Sequence, residues 1–165
     1  MKLALSFVLL AALLMIGGFF WHLWKQGESR RTSLQTLQQL NSALVTANSA
    51  QLLELISLPT ALAGRTAAEQ SEFLVKALRD EVSADGLAVL QHDGAFGPLT
   101  NLFPTEARTW SSQAGVPAEA CVAFKLERNG LRAEVVLVRI GESGDQNPNL
   151  RVLRCNNVKQ LAQKR

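Results

Sequence analysis

Residues 121–140 read CVAFKLERNGLRAEVVLVRI, and this stretch decides the fold class. At its centre, Asn129-Gly130 is the dipeptide typical of a two-residue type I′ turn, because both residues accept a positive φ. Before the turn, apolar and polar side chains alternate with the period of two that a half-buried strand requires. The stretch therefore predicts an antiparallel hairpin with strands over 121–128 and 131–140.

The second strand of this hairpin is apolar on both faces at 135–138, which favours a position between two other strands. A polar loop over 141–149 follows, and residues 150–156 again have the pattern of a strand. The sequence thus predicts a meander of three antiparallel strands. Glu127 and Glu134 are expected to pair across strands with arginine side chains. The arginines of these strands are Arg132, Arg139, Arg151 and Arg154.

The first helix predicted upstream of the sheet begins at Ser33. Gly27 breaks the preceding apolar segment, and Thr32-Ser33-Leu34-Gln35 has the form of a capping box. Pro59 limits this helix. Its apolar stripe contains Leu37, Leu40, Leu44, Ala47 and Leu55. The stripe has two interpretations: a helix packed on the domain, or a short stalk that forms a homodimer through residues 33–56.

A second capping box, Thr66-Ala67-Ala68-Glu69, predicts a helix that ends at Asp85-Gly86. The residues expected to face the core from this helix are Phe73, Leu74, Ala77, Leu78 and Val82. Beyond it, the sequence predicts a short strand over 87–91 and a loop over 92–98. It then predicts a short helix that starts at 104–106, runs through Trp110 and ends near Gly115.

This order of elements (helix, helix, strand, helix, three strands) resembles the ketosteroid-isomerase-like or nuclear-transport-factor-like cone. The resemblance covers residues 33–158 and implies an α+β domain with helices packed on a small curved antiparallel sheet. Proteins with this cone include isomerases, dehydratases, transport adaptors and membrane-anchored periplasmic subunits of type IV secretion systems, and fold alone does not choose among them. The tyrosine donor of the enzymes is not carried over, because the chain contains no tyrosine.

The N-terminal segment 3–24 contains 22 residues without a charged side chain. As a helix it would extend about 33 Å, which is enough for the hydrocarbon core of a bilayer. Trp21 and Trp24, followed by Lys25, have the composition of a membrane interface. The alternative is a cleaved signal peptide, but the apolar segment is too long and no small-residue cleavage site follows it. The sequence therefore predicts an uncleaved transmembrane signal anchor over residues 1–24.

The short segment before the anchor favours a cytoplasmic N-terminus, with the C-terminal residues on the other side of the cell membrane. The domains expected are 1–24 as the anchor, 25–58 as a juxtamembrane or stalk helix and 59–165 as a periplasmic or extracellular α+β domain. The net charge is only +3 and no dense run of lysine and arginine is present, so nucleic acid is not expected as a partner.

Cys121 and Cys155 permit one disulfide in an exported domain. In the predicted meander their strands flank the central strand, so the two residues would lie about 10 Å apart. A disulfide needs Cα atoms within about 7 Å of each other. Two alternatives therefore stay open: a disulfide with a different strand order, or two free thiols.

His92 and Asp93 are the pair that most resembles a catalytic site, because a histidine beside a carboxylate can act as a general base. However, adjacent residues usually point apart, and the sequence has neither a metal signature nor a cofactor-binding motif. The sequence thus favours a noncatalytic, membrane-anchored protein that binds a protein partner or scaffolds an envelope complex, without a cofactor. The alternative is an anchored small-molecule binder or enzyme with a pocket between helices and sheet.

Overall fold

The computed structural model describes residues 2–58, 62–140 and 149–163, apart from the side chains of residues 2–17 and 19. The chain divides into two compact units, residues 1–32 and residues 33–165. Residues 33–58, which were predicted to be part of a stalk helix separate from the domain over 59–165, therefore belong to the same unit as the sheet.

The described residues form an α+β protein, as predicted. The helices are α1 Lys2–Val45, α2 Ser49–Leu55, α3 Ala67–Glu81, α4 Ala84–Asp93, α5 Leu99–Leu102, α6 Ala107–Ala114 and α7 Gln160–Gln163. The strands are β1 Ala95–Pro98, β2 Cys121–Arg128, β3 Leu131–Ile140 and β4 Asn149–Asn156. They form one antiparallel sheet in the order β1-β2-β3-β4.

The hairpin of β2 and β3 is confirmed at the predicted residues. Asn129 and Gly130 have φ values of 52° and 74°, which are the two positive values that a type I′ turn requires. The strand predicted over 150–156 is confirmed as β4. The short helix predicted to end near Gly115 is confirmed as α6, which ends at Ala114 but begins at Ala107 rather than at 104–106. The predicted loop over 141–149 lies outside the described residues up to residue 148.

Helices cover both faces of the sheet. The central strand β3 directs Ala133, Val135 and Leu137 to one face, where they are buried with residues of α1, α2, α3, α4 and α7. It directs Val136 and Val138 to the other face, where they are buried with residues of α5 and α6. The central position predicted for β3 is thus confirmed, and the reason for its continuous apolar run is burial on both sides.

The first helix neither begins at Ser33 nor breaks at Gly27, contrary to the prediction, because α1 runs without interruption from Lys2 to Val45. One glycine costs only about 1 kcal/mol in a helix, which is too little to end it between residues that favour helix. The stripe residues buried in the core of the sheet-containing unit are Leu37, Leu40 and Leu44. This burial favours the packed-helix interpretation, and a homodimer through residues 33–56 stays a prediction that would need a different surface.

The predicted membrane span lies within α1. In the part of the chain that the structure describes, no helix combines the length and the apolar character that a membrane crossing requires. Most of the predicted span 3–24 consists of residues 3–17 and 19, whose side chains the structure does not describe. Among its described residues, Trp21 and Trp24 are each 61% exposed, and their ring centroids are 5.6 Å apart. The anchor therefore stays a prediction.

The capping box predicted at the start of α3 is confirmed. The Thr66 side chain accepts a hydrogen bond from the Glu69 N–H (3.4 Å), and the Glu69 carboxylate accepts one from the Thr66 N–H (2.9 Å). Residues buried as predicted are Leu74, Leu78 and Val82. Phe73 and Ala77 are exposed instead, because they lie one position before Leu74 and Leu78 and so point about 100° away from the core stripe.

The predicted strand over 87–91 is wrong, because these residues belong to α4. Ser83 caps this helix, since its side chain accepts a hydrogen bond from the N–H of Gly86 (3.0 Å). Gly86, which was expected to end a helix, lies instead in the first turn of α4. A Cβ atom at this position would lie only 2.0 Å from the carbonyl oxygen of Val158. The glycine is therefore needed for close packing, and the strand before β2 is β1.

The two outer strands of the sheet differ in the edge that they present. On one side, β1 contains four residues and ends at Pro98, which has no N–H to donate. On the other side, Ile56 forms a parallel bridge with Val152 of β4, and the N–H of Ser57 donates to the Val152 carbonyl (3.0 Å). The segment after α2 therefore satisfies part of the main chain of β4.

Candidate functional site

The end of α4 brings the two sequence-predicted site residues together. Nδ1 of the His92 imidazole lies 2.6 Å from Oδ1 of the Asp93 carboxylate. The expectation that these adjacent side chains point apart is therefore wrong. Neighbouring positions on a helix differ by about 100° in direction, and here the two side chains are long enough to close that angle.

His92 and Asp93 line a surface pocket of about 480 Å³ on the outer side of α4, which we call the His92 pocket. Its other lining residues are Asp85, Ala88, Val89, Arg128 and Ala162. Nη1 of Arg128 lies 3.7 Å from Oδ2 of Asp93, so the carboxylate lies between a histidine and an arginine. The pocket is bounded by the helices α4 and α7 and by the end of strand β2.

The chemistry available in the His92 pocket is proton exchange at an accessible imidazole. The His92 side chain is 89% exposed, so solvent reaches the ring. The contact with Asp93 occupies Nδ1, which leaves Nε2 as the nitrogen that can exchange a proton with a ligand.

A second polar site lies on the sheet face that α5 and α6 cover. We call it the arginine–glutamate cluster; it consists of Glu106, Arg132, Glu134 and Arg154. The Glu134 side chain is only 4% exposed, and its Oε1 lies 2.6 Å from Nε of Arg154. Its Oε2 lies 3.2 Å from Nε of Arg132, at an angle too poor for a hydrogen bond. Nη2 of Arg132 donates to Oε1 of Glu106 (2.8 Å), and this bond lowers the pKa of the Glu106 carboxyl and raises the pKa of the guanidinium.

Aromatic rings complete the arginine–glutamate cluster. The Arg132 guanidinium lies 4.8 Å from the ring centroid of Phe103, and the Arg154 guanidinium lies 4.8 Å from that of Trp110. The two rings are themselves in contact, with centroids 5.1 Å apart. The two arginines and two glutamates of the cluster balance in charge, so the cluster has no excess charge to attract an ionic ligand. We interpret its ion pairs and ring contacts as interactions that hold α5 and α6 on the sheet.

The predicted cross-strand pairing is confirmed for Glu134 with Arg154, which lies on β4. The other arginine that contacts Glu134, Arg132, lies two residues away on β3 itself. The cross-strand prediction fails for Glu127. This residue lies opposite Arg132 in the register of β2 and β3, but its carboxylate is 3.6 Å from Nζ of Lys125 on its own strand. Glu127 is at the exposed end of the hairpin, where a same-face neighbour two residues away is within equal reach.

A groove of about 510 Å³ runs between α3 and the turn that joins α1 to α2; we call it the α3 groove. The residues that line it with small or short side chains are Ala47, Ser49, Ala68, Ser71 and Val75. The charged residues along it are Glu72, Lys76, Arg79 and Asp80. The groove therefore combines an uncharged floor with charges of both signs.

The α3 groove was missed by the sequence analysis because Ala47 was assigned to the buried stripe of one long helix. In the structure Ala47 has φ of 53° and lies in the turn after α1. Asn48 then caps α2, since its side chain accepts a hydrogen bond from the N–H of Gln51 (3.2 Å). The sequence Asn48-Ser49-Ala50-Gln51 carries that signal, since asparagine followed three residues later by glutamine is a helix-start pattern.

Both cysteines are free thiols in the structure. Cys121 lies opposite Val138 and Cys155 lies opposite Val135, on the two strands that flank β3. They are therefore about 10 Å apart across the sheet and about 10 Å apart along it. This geometry corrects the disulfide interpretation in favour of the free thiols. Burial raises the pKa of both thiols, to about 12 for Cys155.

Among the described side chains, no group of three or more histidine, cysteine, aspartate or glutamate residues is arranged so that it could hold a metal ion.

Comparison with known proteins gives no relative from which a site could be transferred. No family model matches the chain, and neither a curated protein nor a solved structure matches it. The resemblance to the ketosteroid-isomerase-like cone therefore stays a prediction from the order of elements, and the functional argument depends on the geometry of this chain.

Proposed function

We propose that the chain is a single-pass membrane protein whose domain over residues 33–165 binds a protein partner in the cell envelope. The observation that carries this proposal is the α3 groove, with its volume of about 510 Å³. Its small side chains allow a partner to approach the main chain of α3 closely. The charges of both signs along it provide complementary contacts that select the partner and its orientation.

The proposed anchor is the segment 3–24, with the N-terminus in the cytoplasm and the domain outside it. The support is the uncharged length of 22 residues, which ends with the exposed Trp21 and Trp24 and is followed by Lys25. An anchored domain searches only the surface of its own membrane, so its partner is expected in the same envelope. A reporter enzyme fused after Arg165 tests the topology, and activity of a cytoplasm-only reporter would contradict it.

The partner proposal is tested by site-specific photocrosslinking of the full-length chain in intact cells. A photoreactive residue at Ser49, in the α3 groove, is expected to give a discrete crosslinked product. The same residue at exposed Thr109 on α6 serves as the control position. Ala68→Trp, which fills the groove, should abolish the Ser49 product, whereas Ala77→Trp on the exposed side of α3 should not. Identical product patterns from both positions, or a product that survives Ala68→Trp, would contradict the proposal.

The second candidate function is an anchored small-molecule binder or enzyme that uses the His92 pocket. The observation that favours it is the 2.6 Å contact between His92 and Asp93 beside Arg128, which offers a proton carrier and a cation to an acidic ligand. Thermal unfolding of the full-length chain with a panel of small carboxylates and phosphates tests it. A stabilising ligand should lose its effect in His92→Gln and keep it in His22→Gln, the matched control. Equal stabilisation of both variants would exclude this site.

A further inference from the structure

A cleft of about 190 Å³ separates α4 from residues 34–41 of α1, within the unit formed by residues 33–165. Its floor is apolar, since Leu37 and Leu90 line it and are buried. Its rim carries the carboxamides of Gln38, Asn41 and Gln91. We call this space the amide cleft.

The amide cleft exists because α4 presents methyl groups to it. Ala84 and Ala88 lie one helical turn apart and both line the cleft. Ala84 is the first residue of α4, and its position is fixed by the Ser83 cap immediately before it. Larger side chains at these two positions would occupy the space, so the cleft depends on the two alanines.

The lining of the amide cleft selects for an uncharged molecule. Among the residues that the structure describes, those that line the cleft are all uncharged, being leucines, alanines, glutamines and an asparagine. A charged ligand would lose hydration there without gaining an opposite charge. A carboxamide both donates and accepts hydrogen bonds, so it matches the amide or hydroxyl group of a neutral ligand. The leucine floor matches an apolar body.

The size of the amide cleft limits the ligand. An apolar cavity of about 150 Å³ accommodates benzene, and this cleft is somewhat larger at about 190 Å³. We propose that the amide cleft binds a small neutral ligand that consists of an apolar body of about one ring and a single amide or hydroxyl group. The body lies on Leu37 and Leu90, and the polar group bonds to the carboxamides. This inference does not depend on the proposed partner-binding function, which uses the α3 groove.

The probe for the test is 4-fluorobenzamide, followed by fluorine NMR with the full-length chain in detergent micelles. Saturable binding to the wild-type chain is expected. Ala84→Leu fills the cleft and is expected to weaken binding by about tenfold or more. Ala77→Leu, the same substitution at an exposed position of α3, is the matched control and also accounts for probe dissolved in the micelle. Absence of saturable binding, or equal binding by the two variants, would overturn the proposal.

A second variant separates the polar contact from the shape of the cleft and keeps the test decisive if Ala84→Leu fails to fold. Gln38→Leu replaces the carboxamide side chain with an apolar side chain of comparable size, so it removes the hydrogen-bonding group and largely keeps the volume. It is expected to weaken 4-fluorobenzamide binding several-fold while leaving fluorobenzene binding within about twofold. An equal loss for both probes, or no loss for either, would overturn the assignment of the carboxamide rim as the polar recognition element.

Discussion

Replacement of Glu134 by glutamine tests whether the arginine–glutamate cluster stabilises the domain. The substitution keeps the size and one acceptor oxygen of the side chain but removes its negative charge. The carboxylate is 4% exposed and lies 2.6 Å from Nε of Arg154 and 3.2 Å from Nε of Arg132. Glu134→Gln therefore leaves two guanidinium groups without their shared anion, in a site that water reaches poorly.

The magnitude follows from these two contacts. A charge-assisted hydrogen bond contributes about 1.5–3 kcal/mol, and only the Arg154 contact is well aligned. Arg132 and Arg154 are 37% and 43% exposed, so water compensates part of the loss and solvent screens the remaining attraction. Arg132 also keeps its bond to Glu106. We therefore expect the free energy of unfolding to fall by about 2 kcal/mol, which corresponds to a decrease in Tm of roughly 6–10 °C for a domain of this size.

The assay is equilibrium urea unfolding of the full-length chain, followed by far-ultraviolet circular dichroism, with a thermal melt in parallel. The matched control is Glu127→Gln on the neighbouring strand, where the carboxylate is 64% exposed and lies 3.6 Å from Lys125. This control should change the free energy of unfolding by less than about 0.5 kcal/mol. If Glu134→Gln costs no more than Glu127→Gln, the cluster does not stabilise the domain. A double-mutant cycle with Arg154→Gln should give a coupling energy of about 1–2 kcal/mol.

Three further perturbations test other parts of the structure. Gly86→Ala should lower the free energy of unfolding by about 2 kcal/mol or more, because its Cβ would lie 2.0 Å from the Val158 carbonyl oxygen; an unchanged Tm would contradict this close packing. The lowered pKa of folded Glu106 means that its stabilisation is present above the unfolded value near 4.5 and is lost as the pH falls through the folded value. Glu106→Gln should therefore flatten the loss of stability on acidification, measured by urea unfolding at each pH, and parallel profiles would contradict the bond. Cys121 and Cys155 should resist a thiol reagent at about pH 8 until denaturant is added, since burial raises both pKa values; rapid labelling of the native chain would refute it.

The sequence predicted those parts of the fold that depend on local chemistry. The β2–β3 hairpin was predicted at its residues because the turn dipeptide and the period of two agree with each other. The strand predicted over 87–91 failed because a short apolar run fits a strand and a buried helix equally well, and tertiary packing decides between them. That packing is the approach of the Val158 carbonyl to Gly86, which lies outside any local pattern.

In the candidate sites, too, local features could be predicted from the sequence, and features that depend on tertiary packing could not. The pairing of Glu134 with Arg154 was predictable because the predicted meander places β3 and β4 side by side. The burial of this carboxylate was not predictable, since it depends on how α5 and α6 cover the second face of the sheet. The contact between His92 and Asp93 was not predictable, because sequence spacing gives side-chain directions but not the rotamers at a helix end. The α3 groove and the amide cleft arise between helices distant in sequence.

The outer strands of the sheet bear on how this domain can meet other chains. An edge strand with unpaired main-chain groups is a template on which another chain can add a strand, which leads to aggregation or to recognition by strand addition. Here β1 offers four residues that end in a proline, and Ser57 already pairs with β4 at Val152. At β1 an added strand would find only four residues, so strand addition is disfavoured on that side. At β4 the pairing shown involves only Val152 of eight residues, so β4 is the outer strand better suited to strand addition.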